Sequence, residues 1–386
     1  MVKIISSASS RDLNEEGLVR SLQKEKGKIC ISIIVPTHKL SPERRIDHLV
    51  LDKAIREAKK YLAQNYREEE IRLLQASIDD LYARIDFVHN AAGIGLFVSA
   101  NIQELVPFFF PVKEKVIIGR SFEIRDLLYQ AYYSHPYYTL LLSEKEARLF
   151  EGRLNTLLEI KDNNFPKKYV DDYVYTRPSR GSSFVGNAFV KEYEKDKSQL
   201  EEIRYQRFCG LVEDGLKAYL TNNHILLIIA GAKKDLSYFG KVTHHNKHII
   251  GEVAGNYSYT TLTELGVLAW DVLRSHLDKE KQQLIGEFGE KIGEGRGITG
   301  IHEIWKAAKE GRGLKLLIEK DHSLPGFLPR GNEYDLRLQP PKKPHQVLAD
   351  AVDDLMEVLL EKNGSVILLE NDSLKERQGM ALITRY

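Results

Sequence analysis

The sequence predicts an α/β protein built as three domains, and three observations carry that prediction. The chain has 386 residues, more than one hydrophobic core usually organises. Its middle portion runs through three short apolar stretches and then alternates helix-period and strand-length segments, the element order of a ribonuclease-H-like α/β sandwich. Its last portion reads as a separate, compact α/β/α layer. The boundaries expected are 1–134 for an N-terminal α/β domain, 135–294 for the ribonuclease-H-like domain, and 295–386 for the C-terminal domain.

Residues 1–27 are polar and charged and read as a partly ordered lead-in. Cys30–Pro36 is apolar except for Ser32 and ends in proline, a candidate for a buried strand. Leu40–Leu49 reads as loop running into helix. Asp52–Asn65 and Arg67–Val88 are helical, the second with Ile71, Leu74, Ile78, Leu81 and Ile85 at three- and four-residue spacing. Gly93–Ser99 and Lys115–Gly119 are strands. Gly93-x-Gly95 opens a strand with no third glycine and no following helix, so it is not a dinucleotide fingerprint. Phe122–Ala131 is helical.

The middle domain begins with strands over Tyr138–Ser143, Ala147–Glu151 and Leu154–Ile160, separated by turn-like breaks at Glu144-Lys145 and Gly152-Arg153. A long helix is expected from about Phe189 to Leu220. Its second half has the apolar stripe Leu200, Ile203, Phe208, Leu211, Val212, Leu216 and Tyr219, and its first half is mostly charged. Then come a strand at Ile225–Ala230, a helix from Lys233 to Phe239, a strand at Ile249–Val253 and a helix over Thr260–Leu284. The C-terminal domain reads as a helix at Ile301–Glu310, a strand at Leu314–Glu319 and a proline-rich basic loop over Asp321–Lys343. An amphipathic helix over Val347–Lys362, with Gly364 as its cap, and strands at Val366–Leu369 and Met380–Ile383 close it. No internal repeat is visible.

Composition narrows the function. Hydrophobic residues make up 42% and charged residues 29% of the chain, an ordinary globular balance. No apolar run approaches the ~20 residues that span a bilayer, and the start of the chain has no signal-peptide pattern. A cytoplasmic protein with no membrane partner is expected. The net charge of +1 lacks the basic excess of a dedicated duplex-DNA binder, so any nucleic-acid contact rests on local patches. The two cysteines, Cys30 and Cys209, have no Cys-x-x-Cys partner and read as core residues.

The chemistry-bearing candidates are few. His244, His245 and His248 lie close together without a carboxylate nearby in sequence, the pattern of loop histidines more than of a metal site. Asp171 and Asp172 are the acids a two-metal nuclease would draw on, but the strands carry Ser143, Glu144, Glu151 and Glu159 and no core aspartate. There is no phosphate-binding glycine–lysine loop and no Gly-x-Ser-x-Gly elbow. The paired tyrosines Tyr132-Tyr133 and Tyr137-Tyr138 could stack on bases, though such residues at domain junctions more commonly pack. No catalytic residue, metal or cofactor is expected. What stands out is the loop 176–191, where Arg177, Arg180 and Lys191 flank Gly181, Ser182, Ser183, Phe184 and Gly186. The charged first turns of the helix that follows have little to bury, so the loop should ride at the tip of a protrusion. Arginines and glycine backbone NH groups suit a phosphate-rich surface; a solvated connection is the plain alternative.

The ending Gly379–Tyr386 resembles the glycine–hydrophobic–Leu-Arg-Tyr ending of Pelota and the archaeal and eukaryotic class-1 release factors. Gly300–Gly311 followed by Leu314–Glu319 resembles the same family's third domain. Leu227–Lys233 resembles its middle domain, with Ala230-Gly231-Ala232-Lys233 where the family reads Ala-Gly-Pro-Gly. Ile33–Pro36 and Gly95–Val98 fit the core strands of its first domain. The ordered set covers nearly the whole chain. In release factors the loop into the long middle-domain helix carries Gly-Gly-Gln; here Arg180-Gly181-Ser182-Ser183-Phe184 stands in its place. The Asn-Ile-Lys-Ser stop-codon element, which should fall near Ala54–Tyr66, is absent as well. What remains is similar to the bacterial branch, which includes Balon-like ribosome hibernation factors. The resemblance implies a non-catalytic, tRNA-shaped occupant of the A site of idle 70S ribosomes, with elongation factor Tu as a further partner. The alternatives it leaves open are a rescue or peptide-release factor and a metal-dependent ribonuclease.

Overall fold

The computed structural model describes residues 15–38, 43–87, 91–169, 202–221, 225–257 and 260–386. Its contacts divide the chain into two compact units, Met1–Tyr132 with Gln283–Tyr386, and Tyr133–Gln282. The architecture is α/β throughout.

The first unit contains two four-stranded sheets. In one, β1 (Cys30–Pro36), β2 (Gly93–Val98), β3 (Gln103–Phe108) and β4 (Lys115–Gly119) lie in the order β3-β2-β1-β4, all antiparallel. Alternate residues of β1 serve two cores. Ile31, Ile33 and Val35 pack with Leu51, Ala54 and Leu62 of α2 (Asp47–Asn65) and with Ile71, Leu74 and Ile78 of α3 (Glu68–Ala83). Cys30 and Ile34 pack on the opposite face with Phe97, Phe108, Phe122 and Leu127, and with Val19 and Leu22 of α1 (Glu15–Lys24). A strand covered on both faces favours apolar residues along its whole length, which is why β1 is apolar at every position but one. Its one polar residue, Ser32, is buried and accepts the backbone NH of Glu123 at 3.0 Å.

The other sheet has β11 (Gly297–Thr299), β12 (Gly313–Glu319), β15 (Ser365–Leu369) and β16 (Met380–Thr384) in the order β11-β16-β12-β15, with only β12 and β15 parallel. α8 (Ile301–Lys309) and α9 (Ala351–Glu361) bury Ile304, Trp305, Val352, Leu355 and Leu359. Phe288, near the end of α7 (Leu262–Gly293), packs with Leu317, Leu369 and Ile383. Within this unit α4 (Arg125–Tyr133) meets α9 through charge. Arg125, 6% exposed, donates to Asp353 at 2.9 Å, to Asp350 at 3.0 Å and to the carbonyl of His322 at 2.6 Å.

The second unit holds β5 (Tyr137–Leu142), β6 (Glu146–Arg153), β7 (Thr156–Glu159), β8 (Lys167–Lys168), β9 (Leu226–Gly231) and β10 (Ile249–Ala254). The order is β10-β9-β5-β6-β7, with β8 added to β6. β5 is antiparallel to β6 and parallel to β9, and β9 is parallel to β10. This is the ribonuclease-H-like topology expected from the element order. One face carries α5, described over 202–216, and α6 (Lys233–Val242). Phe208, Cys209, Val212, Leu216, Leu236 and Phe239 meet Leu140, Leu142, Leu149, Leu227 and Ile229 there. α7 lies on the other face, close enough that a Cβ at Gly266 would sit 2.2 Å from the carbonyl oxygen of Asn155.

Several boundaries differ from the sequence reading. The lead-in contains α1, whose Val19 and Leu22 are buried; two core residues in a polar segment leave little periodicity to read. β3, β8 and β11 were not anticipated: β3 is an edge strand with Pro107 and exposed Gln103, and the other two are only 2 and 3 residues long. The basic loop 321–343 contains β13 (Gly326–Pro329), which pairs with β14 (His345–Leu348), so the helix expected from Val347 starts at Ala351. Its N-cap is Asp350, which accepts the NH of Val352 at 2.9 Å. At its other end Asn363, not Gly364, takes the left-handed position, with φ 59°. Asn363 NH bonds Leu360 O and Gly364 NH bonds Leu359 O, which closes the last turn. α2 starts at Asp47 rather than Asp52, and α7 continues to Gly293.

Candidate functional site

The tip residues Arg177, Arg180, Gly181, Ser182, Ser183, Phe184, Gly186 and Lys191 lie outside the described residues, as do Asp171, Asp172 and the first part of the helix expected from Phe189. The structure does describe the ground they spring from. The structure describes the chain up to Tyr169, the residue after β8, and again from residue 202 in α5. Those two ends meet. The Tyr169 ring lies 5.6 Å from Phe208 and 6.2 Å from Tyr205, centroid to centroid, and Tyr205 lies 5.6 Å from Tyr238 of α6. Tyr169 is also tied by its backbone NH to the carbonyl of Lys145 in the β5–β6 turn, at 2.7 Å. An aromatic cluster thus fixes both roots of the intervening segment to the α5/α6 face of the sheet. Such clusters resist shear because each ring is held by several neighbours.

Polar and charged groups surround that cluster. Asp235, in the first turn of α6, is buried and hydrogen-bonds the Tyr205 hydroxyl. Burial raises the Asp235 carboxyl above the usual carboxylate range; the Tyr205 bond opposes this and the charge of Glu144 adds to it. The Tyr205 hydroxyl is raised too, first by burial and then by Asp235. Along α6, Lys234 and Lys241 place their ammonium groups 5.8 and 5.3 Å from the Tyr238 ring centre. Lys241 also lies 3.8 Å from Glu202 of α5. A half-buried tyrosine flanked by two exposed lysines is a surface that favours phosphate with an adjacent planar group.

The other candidates resolve into structural roles. His248 is buried and its Nδ1 lies 2.9 Å from the carbonyl of Ile225. Glu213, remote in sequence, lies in space beside His244 and His245 at 3.6 and 3.5 Å. It accepts from Thr243 Oγ1 at 2.8 Å and from the His244 NH at 2.9 Å, so it ties α5 to the end of α6. No group of three or more His, Cys, Asp or Glu among the described residues could hold a metal ion. β5 and β9, the strands that would carry nuclease carboxylates, have none; Thr139 is the polar residue buried in β5. Of the other strand acids, Glu159 is bound by Arg148 at 2.7 Å and Lys161 at 3.3 Å, and those two cations lower its carboxyl against the opposing effect of burial. Tyr133 and Tyr137 are core residues, Tyr137 donating to Leu154 O at 2.7 Å, and Tyr138 stacks on Tyr219 at 5.7 Å. Cys30 and Cys209 are buried free thiols, both raised by burial, Cys209 to about 12.

Residues 136–312, from the start of β5 through α8, match the model of bacterial archaeo-eukaryotic release factor family 3. The matched stretch is a little under half of the 386-residue chain. The match takes in the whole sheet of the second unit and the loop 176–191. A comparison with curated proteins gives no match. Among solved structures the chain is similar to the archaeal translation termination factor aRF1, at 13% identity and TM-score 0.25, covering 96% of this chain and 97% of that one. It is also similar to Dom34 of S. cerevisiae at 15% identity and TM-score 0.39, covering 76% and 79%. For Pelota of Archaeoglobus fulgidus the values are 16% and 0.37, covering 76% and 84%. With identities of 13–16%, the chain's function has to be argued from its own residues. Among the described residues no helix is long and apolar enough to cross a membrane.

The sequence pattern did not reveal Tyr169, Tyr205, Asp235 or the Lys234–Tyr238–Lys241 group. Tyr169 and Tyr205 are separated by the whole tip segment, and neither belongs to a motif. The Lys234, Tyr238 and Lys241 spacing, at i, i+4 and i+7, was the one signal present.

Proposed function

We propose that the chain is a non-catalytic, tRNA-mimicking factor that occupies the A site of idle 70S ribosomes and shields them. The observation that carries this reading is the family match over residues 136–312, combined with Arg180-Gly181-Ser182-Ser183-Phe184 where release factors carry Gly-Gly-Gln. A chain that keeps the scaffold and lacks the hydrolytic glutamine retains the means to bind and lacks the group that positions water. In this reading the protein divides at 134 and 294. The tip, with Arg177, Arg180 and Lys191, approaches the peptidyl-transferase centre, and the Tyr169–Tyr205–Phe208 cluster holds its base. The N-terminal domain approaches the decoding region, and the C-terminal domain faces a translational GTPase such as elongation factor Tu. The protein acts in the cytoplasm and needs no cofactor.

Co-sedimentation with vacant and with peptidyl-tRNA-loaded 70S ribosomes, scoring binding and peptide release together, tests the proposal. Binding to vacant ribosomes without release is expected. Binding with release would replace it by a rescue factor, and no binding to either would refute both. Arg177→Glu with Arg180→Glu should weaken binding and flatten its dependence on salt, because each lost phosphate contact removes one released counterion. An unchanged salt slope would refute the role given to the tip.

A further inference from the structure

The sheet of the second unit has a switch point that nothing in the proposed function uses. From β5 the chain moves to β6 on one side; from β9 it moves to β10 on the other. In open α/β sheets, ligands bind outside the carboxyl ends of the parallel strands where the winding reverses. A cleft of about 760 Å3 lies at that place. Its floor is made by the ends of all three parallel strands: Leu142 and Ser143 after β5, Ala232 after β9, and Gly255 after β10. Gly231, next to Ala232, has φ 156°, and a Cβ there would meet the carbonyl oxygen of Leu142 at 2.7 Å. Only glycine lets β9 turn into α6 this close to β5.

The walls have three kinds of chemistry. Lys145 and Lys168 are exposed on one side and form no ion pair with another described residue. Arg148 is held by Glu159 at 2.7 Å. Tyr169 and Tyr257 are half-buried and line the cleft. Tyr257 is fixed by donating to Ala254 O at 3.3 Å and by lying against Gly255, where a Cβ would come within 2.6 Å of its hydroxyl. Glu144, Asp235 and Asn256 supply hydrogen-bond acceptors. The volume is within the range of about 300–1,000 Å3 that holds small organic ligands. A purely anionic ligand would be repelled by Glu144, Glu146 and Asp235; a purely cationic one would be repelled by Lys145 and Lys168. The lining suits a molecule with an anionic end, a planar ring and ring-borne NH donors.

We propose that this cleft is a nucleotide site, with Lys145 and Lys168 taking the phosphate, Tyr169 and Tyr257 the base face, and Glu144, Asp235 or Asn256 the base's amino edge. The nucleotide is either free in solution or one residue of a single-stranded RNA; the chemistry is the same. The site shares Tyr169 with the aromatic cluster at the base of the tip, and it can be tested without ribosomes.

Isothermal titration of the full chain with AMP, ADP, GMP, inorganic phosphate and a short single-stranded oligoadenylate provides the test. Nucleotides should bind in the micromolar range and inorganic phosphate at least about tenfold more weakly. Lys145→Glu with Lys168→Glu, and separately Tyr257→Ala, should each weaken nucleotide binding about tenfold or more with an unchanged melting temperature. Oligoadenylate binding tighter than AMP identifies an RNA strand as the source, and equal or weaker binding identifies the free nucleotide. No heat with any nucleotide or with the oligomer up to about 1 mM, or binding that survives both variants, would overturn the proposal.

Discussion

Replacing Arg125 by methionine probes the charge contact between α4 and α9. The guanidinium is 6% exposed and makes its hydrogen bonds to Asp353, Asp350 and the His322 carbonyl between 2.5 and 3.0 Å. Methionine keeps most of the volume and removes the charge and all the donors. Asp350 and Asp353 are then left facing each other and Glu123, itself 6% exposed. Removing one partner of a buried charge group costs about 3–5 kcal/mol, because the remaining charge is uncompensated. For a unit of this size, at about 2–4 °C per kcal/mol, that corresponds to a fall of roughly 6–20 °C in Tm. The pH dependence carries a second signature. Burial first, and Glu123 next, push Asp353 up to about 8, while Arg125 pulls it down. A carboxyl raised in the folded state binds more protons there than when unfolded. Its contribution to stability therefore falls as pH rises, from the ordinary carboxylate range up to about 8. Without Arg125 that window extends to higher pH, so the penalty should grow from pH 6 to pH 9. Asp353→Asn in the Arg125→Met background should recover much of the loss and flatten the pH profile. Calorimetry at pH 6, 7.5 and 9 on the single and double variants decides the matter. A loss under about 1 kcal/mol, or no recovery in the double variant, would refute the account.

Three further outcomes are expected. Gly266→Ala places a Cβ 2.2 Å from the Asn155 carbonyl oxygen and must push α7 off the sheet; a loss of about 1–3 kcal/mol in chemical denaturation is expected. Asp350→Ala removes the cap of α9, an acceptor for the Leu324 NH and one acidic partner of the buried Arg125, and should cost about 2–4 kcal/mol, again read from denaturation midpoints. Cys209, with its thiol pushed up to about 12 by burial, should react with an aromatic disulfide reagent only at the rate of unfolding. Fast labelling of Cys209 in the native protein would show that α5 opens away from the sheet.

The limits of sequence reading follow from which interactions are local. The strands β1, β2, β5 and β9 are legible because each is apolar over its length, and the second half of the long middle-domain helix because its stripe repeats every three to four residues. The β-β-β-α-β-α-β-α order then fixes a ribonuclease-H-like sheet, since right-handed connections leave few other arrangements. Short edge strands such as β8 and β11 lack that signal. β14 was read as helix because Val347 and Leu348 extend the apolar pattern of α9, and only pairing with β13 assigns them to a strand.

The sequence by itself determined the α/β class, the order of the middle sheet, the buried cysteines and the absence of a Gly-Gly-Gln tripeptide. Each of these depends on residue type and near-neighbour spacing. Only the tertiary structure decided that Tyr169 meets Tyr205 and Phe208, that Glu213 lies beside the histidines, that Arg125 is enclosed by Asp350 and Asp353, and that a cleft opens where β5 and β9 diverge. Those pairs are far apart in sequence. Which partner a buried aromatic or charge finds is set by how the sheets and helices pack, and local periodicity holds no record of that choice.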